Sequence, residues 1–196
     1  LMLDGNFSSN NKVWAAGVSG GLWSITNIEN ASSEWTKVSD FWDTLNITSV
    51  ATDPTDANII YIGTGEKRGM GLKGFGVWKT SDGGSTWNQL PSSTDFKWID
   101  TIIVRDEGGV GAVYVGGGRS LSEGEYTGIN GLQKSTDGGA TWTEVLGEIA
   151  AGSSHHVTDL EIDSNNRLIV GTRTNTFGDG GGQIFYSDDG AVFSPY

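Results

Sequence analysis

The sequence predicts an all-β repeat protein built from four similar units. The phrase TSDGGSTW at residues 80–87 returns as STDGGATW at residues 135–142, and a weaker third copy, YSDDGAVF, occupies residues 186–193. Four short runs rich in β-branched and aromatic residues, each ending in glycine, recur at a similar spacing. No stretch has the apolar periodicity of an amphipathic helix. Each unit is therefore expected to be a small antiparallel sheet.

The first two strands of each unit are marked by their closing residues. The first strands, expected to be innermost, end in aspartate at residues 1–4, 48–53, 101–106 and 158–163. The second strands are the glycine-terminated runs at residues 13–17, 59–63, 112–116 and 168–171. Because aspartate and glycine both favour turns, each strand is expected to stop where these residues appear.

The outer half of each unit contains the repeated phrase. Third strands are predicted at residues 21–25, 76–80, 131–135 and 183–187, and fourth strands near Trp35, Trp87, Trp142 and Phe193. The first unit keeps Trp35 but lacks the Asp-x-Gly turn, so its outer hairpin is expected to close by other interactions.

The aspartates of the repeated phrase are predicted to be structural. A short carboxylate in a glycine-rich turn can accept hydrogen bonds from successive backbone N–H groups, while the glycines adopt positive φ angles. The tryptophan that follows can bury a large ring. Asp82, Asp137 and Asp188 are therefore expected to close β-hairpins rather than to act in catalysis or metal binding.

The two strong copies fit the pattern Ser/Thr-x-Asp-x-Gly-x-Thr-Trp and resemble the Asp-box (BNR) repeats of sialidases, sortilin-type receptors, xyloglucanase-type glycosidases and photosystem-assembly propellers. The resemblance implies a β-propeller of four-stranded antiparallel blades. The expected blades are residues 1–40, 41–93, 94–149 and 150–196. Neither end resembles a natural terminus, so the four blades are expected to be part of a larger ring in a longer polypeptide that carries further modules. A closed four-bladed ring is the alternative.

Composition bounds the partners and the compartment. The chain has 24 acidic and 12 basic side chains, a net charge of −12, which argues against binding to nucleic acid or to an anionic membrane surface. It has no cysteine, which excludes disulfides and zinc–thiolate sites. No membrane insertion is expected. The phrase IYIGTGE at residues 60–66 resembles surface proteins that Bacteroidota export through type IX secretion, which implies an extracellular or cell-surface location.

The topology predicts where a ligand would bind. If the repeated phrases join strands three and four on one face, the loops joining strands two and three share the opposite face with the connections between blades. Aromatic and acidic residues there resemble a sugar-binding surface, since rings stack on pyranoses and carboxylates accept hydroxyl hydrogen bonds. The candidate ligand contacts are Trp42, Asp43, Glu66, Asp95, Trp98 and Tyr126. The alternative is that Phe41, Trp42, Phe96 and Trp98 pack between blades.

Metal binding and catalysis receive weaker support. Adjacent His155 and His156 would point to opposite sides of a strand, so a polar loop pair is expected rather than a metal site. Residues 177–182, a glycine-rich run with one aspartate, are interpreted as a flexible connector. Calcium binding remains open there, and no other cofactor is expected. With five arginines and no Arg-Ile-Pro motif, the chain lacks the signature of a sialidase.

The similarity to xyloglucanases implies two aspartates as acid and base, one of them in a loop after a second strand. At the comparable place blade two has Glu66 and the other blades have no acidic residue, so the pattern is broken. The pairs that can be nominated are Glu66 with Asp43, Asp95 or Asp100. The function predicted first is a non-catalytic interaction or glycan-binding scaffold that contacts a glycan or another protein. A glycoside hydrolase with catalytic carboxylates partly outside this segment is the alternative, and a periplasmic or thylakoid assembly factor is a third possibility.

Overall fold

Four four-stranded antiparallel sheets follow one another along the chain and confirm the predicted all-β propeller architecture. The computed structural model describes residues 1–38, 42, 44–66, 72–122, 125–129 and 131–196. Each sheet, called a blade below, has its strands in sequence order from the inner to the outer edge, with pairing between neighbours. The division of the chain at residues 40, 93 and 149 and its place in a longer ring remain predictions.

The strands of blades 1 and 2 agree closely with the sequence-based assignment. Blade 1 contains β1 (Met2–Leu3), β2 (Val13–Gly17), β3 (Gly21–Ile25) and β4 (Thr36–Lys37). Blade 2 contains β5 (Ile47–Asp53), β6 (Asp56–Thr64), β7 (Val77–Thr80) and β8 (Asn88–Gln89). A four-residue helix, α1 (Phe7–Asn10), lies between β1 and β2, and a 3-10 turn (Pro91–Ser93) follows β8.

Blades 3 and 4 keep the same strand order, with one extra hairpin inside blade 3 and another between the two blades. Blade 3 contains β9 (Ile99–Asp106), β10 (Gly111–Gly117), β13 (Leu132–Ser135) and β14 (Thr143–Glu144). Between its second and third strands lies the hairpin β11 (Arg119–Ser122) and β12 (Glu125–Gly128), and β15 (Glu148–Ala150) pairs with β16 (Ser153–Ser154) after it. Blade 4 contains β17 (His156–Ile162), β18 (Leu168–Arg173), β19 (Ile184–Ser187) and β20 (Ser194–Pro195).

The core lies between neighbouring blades, because each sheet is covered by the next. Leu22, Val77 and Leu132 occupy the same position at the start of their third strands, and each is fully buried. Each belongs to an apolar cluster completed by residues of the following blade. The inner strands of blades 2 and 3 also meet directly, where Thr48 Oγ1 donates to Ile99 O at 2.6 Å.

Three box turns close outer hairpins, as the turn chemistry predicted. They consist of residues 80–87, 135–142 and 187–193. Asp82 Oδ1 accepts the N–H of Thr86 at 2.8 Å, and Asp82 Oδ2 accepts the Thr86 hydroxyl at 2.7 Å. Asp137 makes the equivalent bonds to Thr141. Gly83 has a φ of 67° and Gly138 of 72°, which is the left-handed region that glycine adopts without strain.

In the third copy the assignment of Asp188 is wrong, because the turn is one residue shorter. Asp189 Oδ1 accepts the N–H groups of Ala191 and Val192, each at 2.9 Å, and the hydroxyl of Ser187 at 3.0 Å. Ser187 therefore stands where Thr80 and Ser135 stand in the other copies, and Asp189 takes the place of Asp82. Asp188 instead accepts from Arg167 Nε at 2.8 Å.

The aspartates that end the inner strands close the first hairpin of each blade. Asp53 Oδ1 accepts the N–H of Thr55, Asp106 Oδ1 that of Gly109, and Asp163 Oδ1 that of Asn165. In blade 1 Asp4 accepts the N–H of Asn6 and the indole N–H of buried Trp14. Each of these turns lies on the same face as the box turns, called the box face below. Within the part of the chain described, no helix is long and apolar enough to cross a membrane.

Candidate functional site: the loop face

The face opposite the box face collects the uneven connections of the molecule, and it is called the loop face below. Second strands end there and third strands begin there, so the loops between them meet the connections that enter each first strand. Backbone hydrogen bonds tie these segments together: Gly65 N donates to Asn46 O at 3.0 Å, and Gly74 N donates to Lys97 O at 2.8 Å. Loops held by a rigid sheet scaffold are the usual place for binding residues.

In blade 2 the loop presents Glu66 and an aromatic ring. Glu66 N donates to Leu72 O at 2.9 Å, which returns the chain toward β7. Thr64 Oγ1 then accepts the N–H of Phe75 at 2.8 Å. Gly74 approaches Thr64 so closely that a Cβ would lie 2.3 Å from its carbonyl carbon, so the turn requires glycine. As a result Phe75 stands 38% exposed beside the loop.

Trp98 is buried, and the structure does not support it as an exposed stacking platform. Only 3% of the residue is accessible, and it stands directly before β9. The end of β12 covers it, since a Cβ on Gly128 would lie 3.0 Å from the indole ring. Trp98 therefore supports the β11–β12 hairpin from below. Asp95, in the preceding turn, is exposed.

Trp42 is half-buried and packs against blade 2. Its ring stacks on Trp78, with centroids 4.8 Å apart and planes 13° from parallel, and it meets Trp87 edge-on at 5.6 Å. Phe96 likewise meets Trp142 edge-on at 5.4 Å. These contacts are the packing alternative considered for the aromatic residues between blades. Asp43, Phe41 and the side chain of Tyr126 lie outside what the structure describes.

The expectation that His155 and His156 form a polar loop pair is wrong, because both side chains are buried. They have different partners, His155 standing just before β17 and His156 being its first residue. His156 Nε2 lies 2.5 Å from Asp100 Oδ2, which joins blade 4 to blade 3. His155 packs edge-on against Phe185 at 4.9 Å, and burial lowers the pKa of its imidazole. Burial therefore favours the neutral form of His155.

The loop of blade 4 is fixed by one asparagine and presents an exposed ring. Asn175 Oδ1 accepts the N–H groups of Phe177 and Asp179, while its Nδ2 donates to Ser154 O. Asp179 Oδ2 in turn accepts the hydroxyl of Ser153 at 2.5 Å. This segment was interpreted as a flexible connector, but its backbone is held by side-chain hydrogen bonds. Phe177 stands 43% exposed.

A small cavity between blades 3 and 4 lies beside this ring. It is lined by Gly118, Arg119, Ile129, Ser154, His155, His156, Asn175, Thr176 and Phe177. Among the residues that the structure describes, no group of three or more histidine, cysteine, aspartate or glutamate side chains could hold a metal ion. Asn175 Oδ1 accepts two backbone N–H groups of the loop and Asp179 Oδ2 accepts the Ser153 hydroxyl, so calcium binding there gains no support from the geometry.

Among the loop-face residues that the structure describes, the exposed rings of Phe75 and Phe177 were not among the candidate ligand contacts selected from the sequence. Both stand in glycine-rich segments, where an isolated aromatic residue has no periodic pattern that would mark it as core. The occurrence of a single aromatic residue in a glycine-rich segment was the sequence signal that could have identified each exposed ring. The acidic candidates differ in their surroundings. Asp100 contacts the ring of His156, whereas Glu66 is half-buried and Asp95 is exposed.

Comparison with known proteins points to xyloglucanases. No protein-family model matches the chain. A xyloglucanase from Paenibacillus sp. is 31% identical over 160 residues, which cover 79% of this chain and 15% of that protein. Xyloglucanase Xgh74A from Acetivibrio thermocellus is 35% identical over 109 residues, or 54% of this chain and 12% of that protein. The chain thus spans about a seventh or less of the length of these relatives.

Solved structures support the fold. An ancestral GH74 enzyme superimposes with a TM-score of 0.60 at 18% identity, covering 95% of this chain and 26% of that one. The extracellular domain of a one-component system from B. thetaiotaomicron superimposes with a TM-score of 0.58 at 14% identity, covering 94% and 20%. In both cases this chain corresponds to a minor part of a larger protein.

Proposed function

We propose that these four blades belong to a polysaccharide-binding propeller of the xyloglucanase type. In this proposal the blades bind the glycan, and hydrolysis requires carboxylates outside the described residues. The observation that carries the proposal is the 31% identity to a xyloglucanase across 79% of the chain. That similarity extends over most of the four-blade segment and is not confined to one turn motif.

The loop face has the chemistry that a β-glucan chain would need. Phe75 and Phe177 are exposed rings that can stack on the apolar faces of pyranoses, and Glu66 and Asp95 are carboxylates that can accept hydroxyl hydrogen bonds. The two rings stand on blades 2 and 4, with blade 3 between them. A ligand that touches both must be extended, which favours a polysaccharide over a single sugar.

Binding without hydrolysis is the second candidate, and the state of Asp100 favours it. A carboxylate pair that hydrolyses a glycosidic bond must flank it at roughly 5 to 10 Å. Asp100, one of the partners considered for Glu66, is instead held by His156 at 2.5 Å. Asp43, another partner, lies outside the described residues. A protein of this kind would act on the surface of, or outside, a bacterial cell, exported through type IX secretion and joined to further modules.

The test is binding of a xyloglucan oligosaccharide to the purified protein by calorimetry, with a parallel assay for released reducing sugar. Phe177→Ala and Phe75→Ala are each expected to weaken binding about tenfold, equivalent to ~1.4 kcal/mol. Trp35→Ala is the matched control, because Trp35 is 41% exposed but lies at the box-face end of blade 1.

The outcomes separate the candidates. Sugar release would assign hydrolysis to the chain itself, and binding without release would support the binding-only function. Equal loss of affinity in Trp35→Ala, or no affinity in the unsubstituted protein, would contradict the proposed loop-face site.

A further inference from the structure

A buried side chain at the junction of blades 3 and 4 has a polar atom without a partner. His155 is 9% exposed, and within the part of the chain that the structure describes its Nδ1 forms no hydrogen bond. Buried polar atoms are normally paired with protein or with a bound molecule, because leaving one unpaired destabilises the folded state. His155 lines the small cavity beside Phe177, so a polar group bound in that cavity can supply the partner.

Three other polar side chains that line the cavity are engaged in holding its walls together. The Ser154 hydroxyl donates to Glu144 Oε1 at 3.0 Å, and the Thr176 hydroxyl donates to Arg119 O. Asn175 uses its side-chain oxygen and nitrogen to fix the loop of blade 4. These bonds join the loop of blade 4 to blade 3, so the cavity is formed before any ligand arrives.

The cavity has room for one small polar group. The centre of a water-sized group has a volume of about 10 Å³ available to it. A cavity that holds one water molecule needs roughly 10 to 15 Å³ by this measure, so one hydroxyl fits and the two oxygens of a carboxylate do not. Burial lowers the pKa of His155 and favours its neutral form, and a hydroxyl can pair with either tautomer because it both donates and accepts.

The position of Phe177 indicates which hydroxyl can enter. Its ring lines the cavity and is also 43% exposed, so a pyranose stacked on the exposed side lies next to the cavity. The hydroxyls on the sugar ring are attached directly to ring carbons. The exocyclic hydroxymethyl of a hexose carries its hydroxyl one carbon further out, so it can reach into the cavity while the sugar ring stays on Phe177.

We propose that this cavity is a subsite for the hydroxymethyl group of a hexopyranose stacked on Phe177, with His155 as the hydrogen-bond partner of its hydroxyl. The inference rests on the proposed glycan binding and adds a selection to it: the sugar unit at blade 4 is a hexose and not a pentose. His155 is then a specificity-determining residue that takes no part in breaking a glycosidic bond.

Calorimetry with two matched sugars tests the subsite. Cellohexaose and xylohexaose have the same β-1,4-linked chain of pyranoses and differ in the hydroxymethyl group, so the unsubstituted protein should bind cellohexaose about tenfold more tightly. In His155→Leu, which keeps an apolar contact with Phe185, cellohexaose affinity should fall about tenfold and xylohexaose affinity by less than about twofold. His155→Gln retains hydrogen-bonding atoms and should keep part of the preference.

Imidazole NMR of the unsubstituted protein gives a second measurement, which does not depend on the folding of a variant. The chain has two histidines, and their signals can be assigned from the one that His155→Leu removes. Saturating cellohexaose should shift the Nδ1 signal of His155, whereas xylohexaose should leave it in place. The signal of His156, whose Nε2 lies against Asp100, is the internal control and should change less with either sugar.

Equal affinity of the unsubstituted protein for the two sugars would overturn the subsite while leaving glycan binding in place. An equal loss of both affinities in His155→Leu would also overturn it, because His155 would then act only through the fold. Binding of neither hexasaccharide would overturn it as well, and the xyloglucan titration described above then shows whether the proposed glycan binding fails with it. A selective loss of cellohexaose affinity, together with the shift of the His155 signal, would support the subsite.

Discussion

The turns on the box face of this propeller segment are repeated, whereas the connections on its loop face vary. On the box face, three outer hairpins close in a similar way, each with an aspartate carboxylate that accepts backbone N–H groups at 2.8 to 2.9 Å, although the third turn is one residue shorter. On the loop face, the connections between second and third strands occupy residues 18–20, 65–76, 118–131 and 174–183, and no two have the same length. The difference indicates that repetition serves stability, whereas variation is where specific binding can arise.

The largest expected effect comes from the buried aromatic residue that supports the box face. Trp14 is fully buried, bonds Asp4 through its indole N–H and meets Trp87 edge-on at 6.0 Å. Trp14→Ala leaves a cavity at a junction between blades and is expected to cost about 3 to 5 kcal/mol. In a chain of this size the Tm should fall by about 10 °C, measured by circular dichroism.

Phe177→Ala is the comparison for that measurement. Because the ring is exposed on the loop face, its removal should change Tm by less than about 1 °C while weakening glycan binding. Equal losses of Tm for the two substitutions would contradict the conclusion that the box face serves stability and the loop face serves binding.

The box face could be predicted from sequence because its determinants are local. Turn chemistry is contained within eight residues, so Asp82 and Gly83 identify the hairpin without knowledge of the rest of the chain. The strand positions could be predicted from the same turn-forming residues, because strands end where aspartate or glycine appears. The wrong assignment of Asp188 also has a local cause. Aligning the third phrase with the other two hid the fact that its turn is one residue shorter. The hydrogen bond from the Ser187 hydroxyl to Asp189 shows this shift.

The loop face could be predicted only in outline, because burial there depends on contacts between distant segments. Trp98 appeared as a candidate for sugar stacking, yet the hairpin formed by residues 119–128 covers it. His156 lies 56 residues from the carboxylate that holds it. Neither contact has a signature within a single sequence, whereas the topology alone correctly placed these segments on one face.

Removing a box-turn carboxylate is expected to lower Tm by an intermediate amount, and the loss should depend on pH. Hydrogen bonds from the Thr86 backbone N–H and from the Thr80 and Thr86 hydroxyls lower the pKa of Asp82 from its ordinary value of 3.8 to about 2. The charged form is thus favoured in the folded state. Its contribution to stability is complete above pH ~4 and is lost as the pH falls through about 2.

Asp82→Ala should therefore lower Tm by about 2 to 4 °C at pH 7, and the difference from the unsubstituted protein should close between pH ~4 and pH ~2. Thermal scans at several pH values measure this. Asp95→Ala, which changes an exposed carboxylate on the loop face, is the matched control and should leave Tm unchanged at every pH. A pH-independent difference for Asp82→Ala would show that the carboxylate charge is irrelevant to the turn.

The smallest expected effect distinguishes two neighbouring aspartates in the third box turn. Hydrogen bonds from the N–H groups of Val192 and Ala191 and from the Ser187 hydroxyl lower the pKa of Asp189 to about 2. Asp188 instead forms an exposed ion pair with Arg167, a type of contact that contributes little to stability in water. Asp189→Ala should lower Tm by about 1 to 3 °C, and Asp188→Ala by less than about 1 °C.

The two changes differ by one position in the chain and remove the same group, so their ratio reports the register of the turn directly. A larger loss for Asp188→Ala would mean that the carboxylate of the third turn follows the sequence alignment rather than the hydroxyl of Ser187.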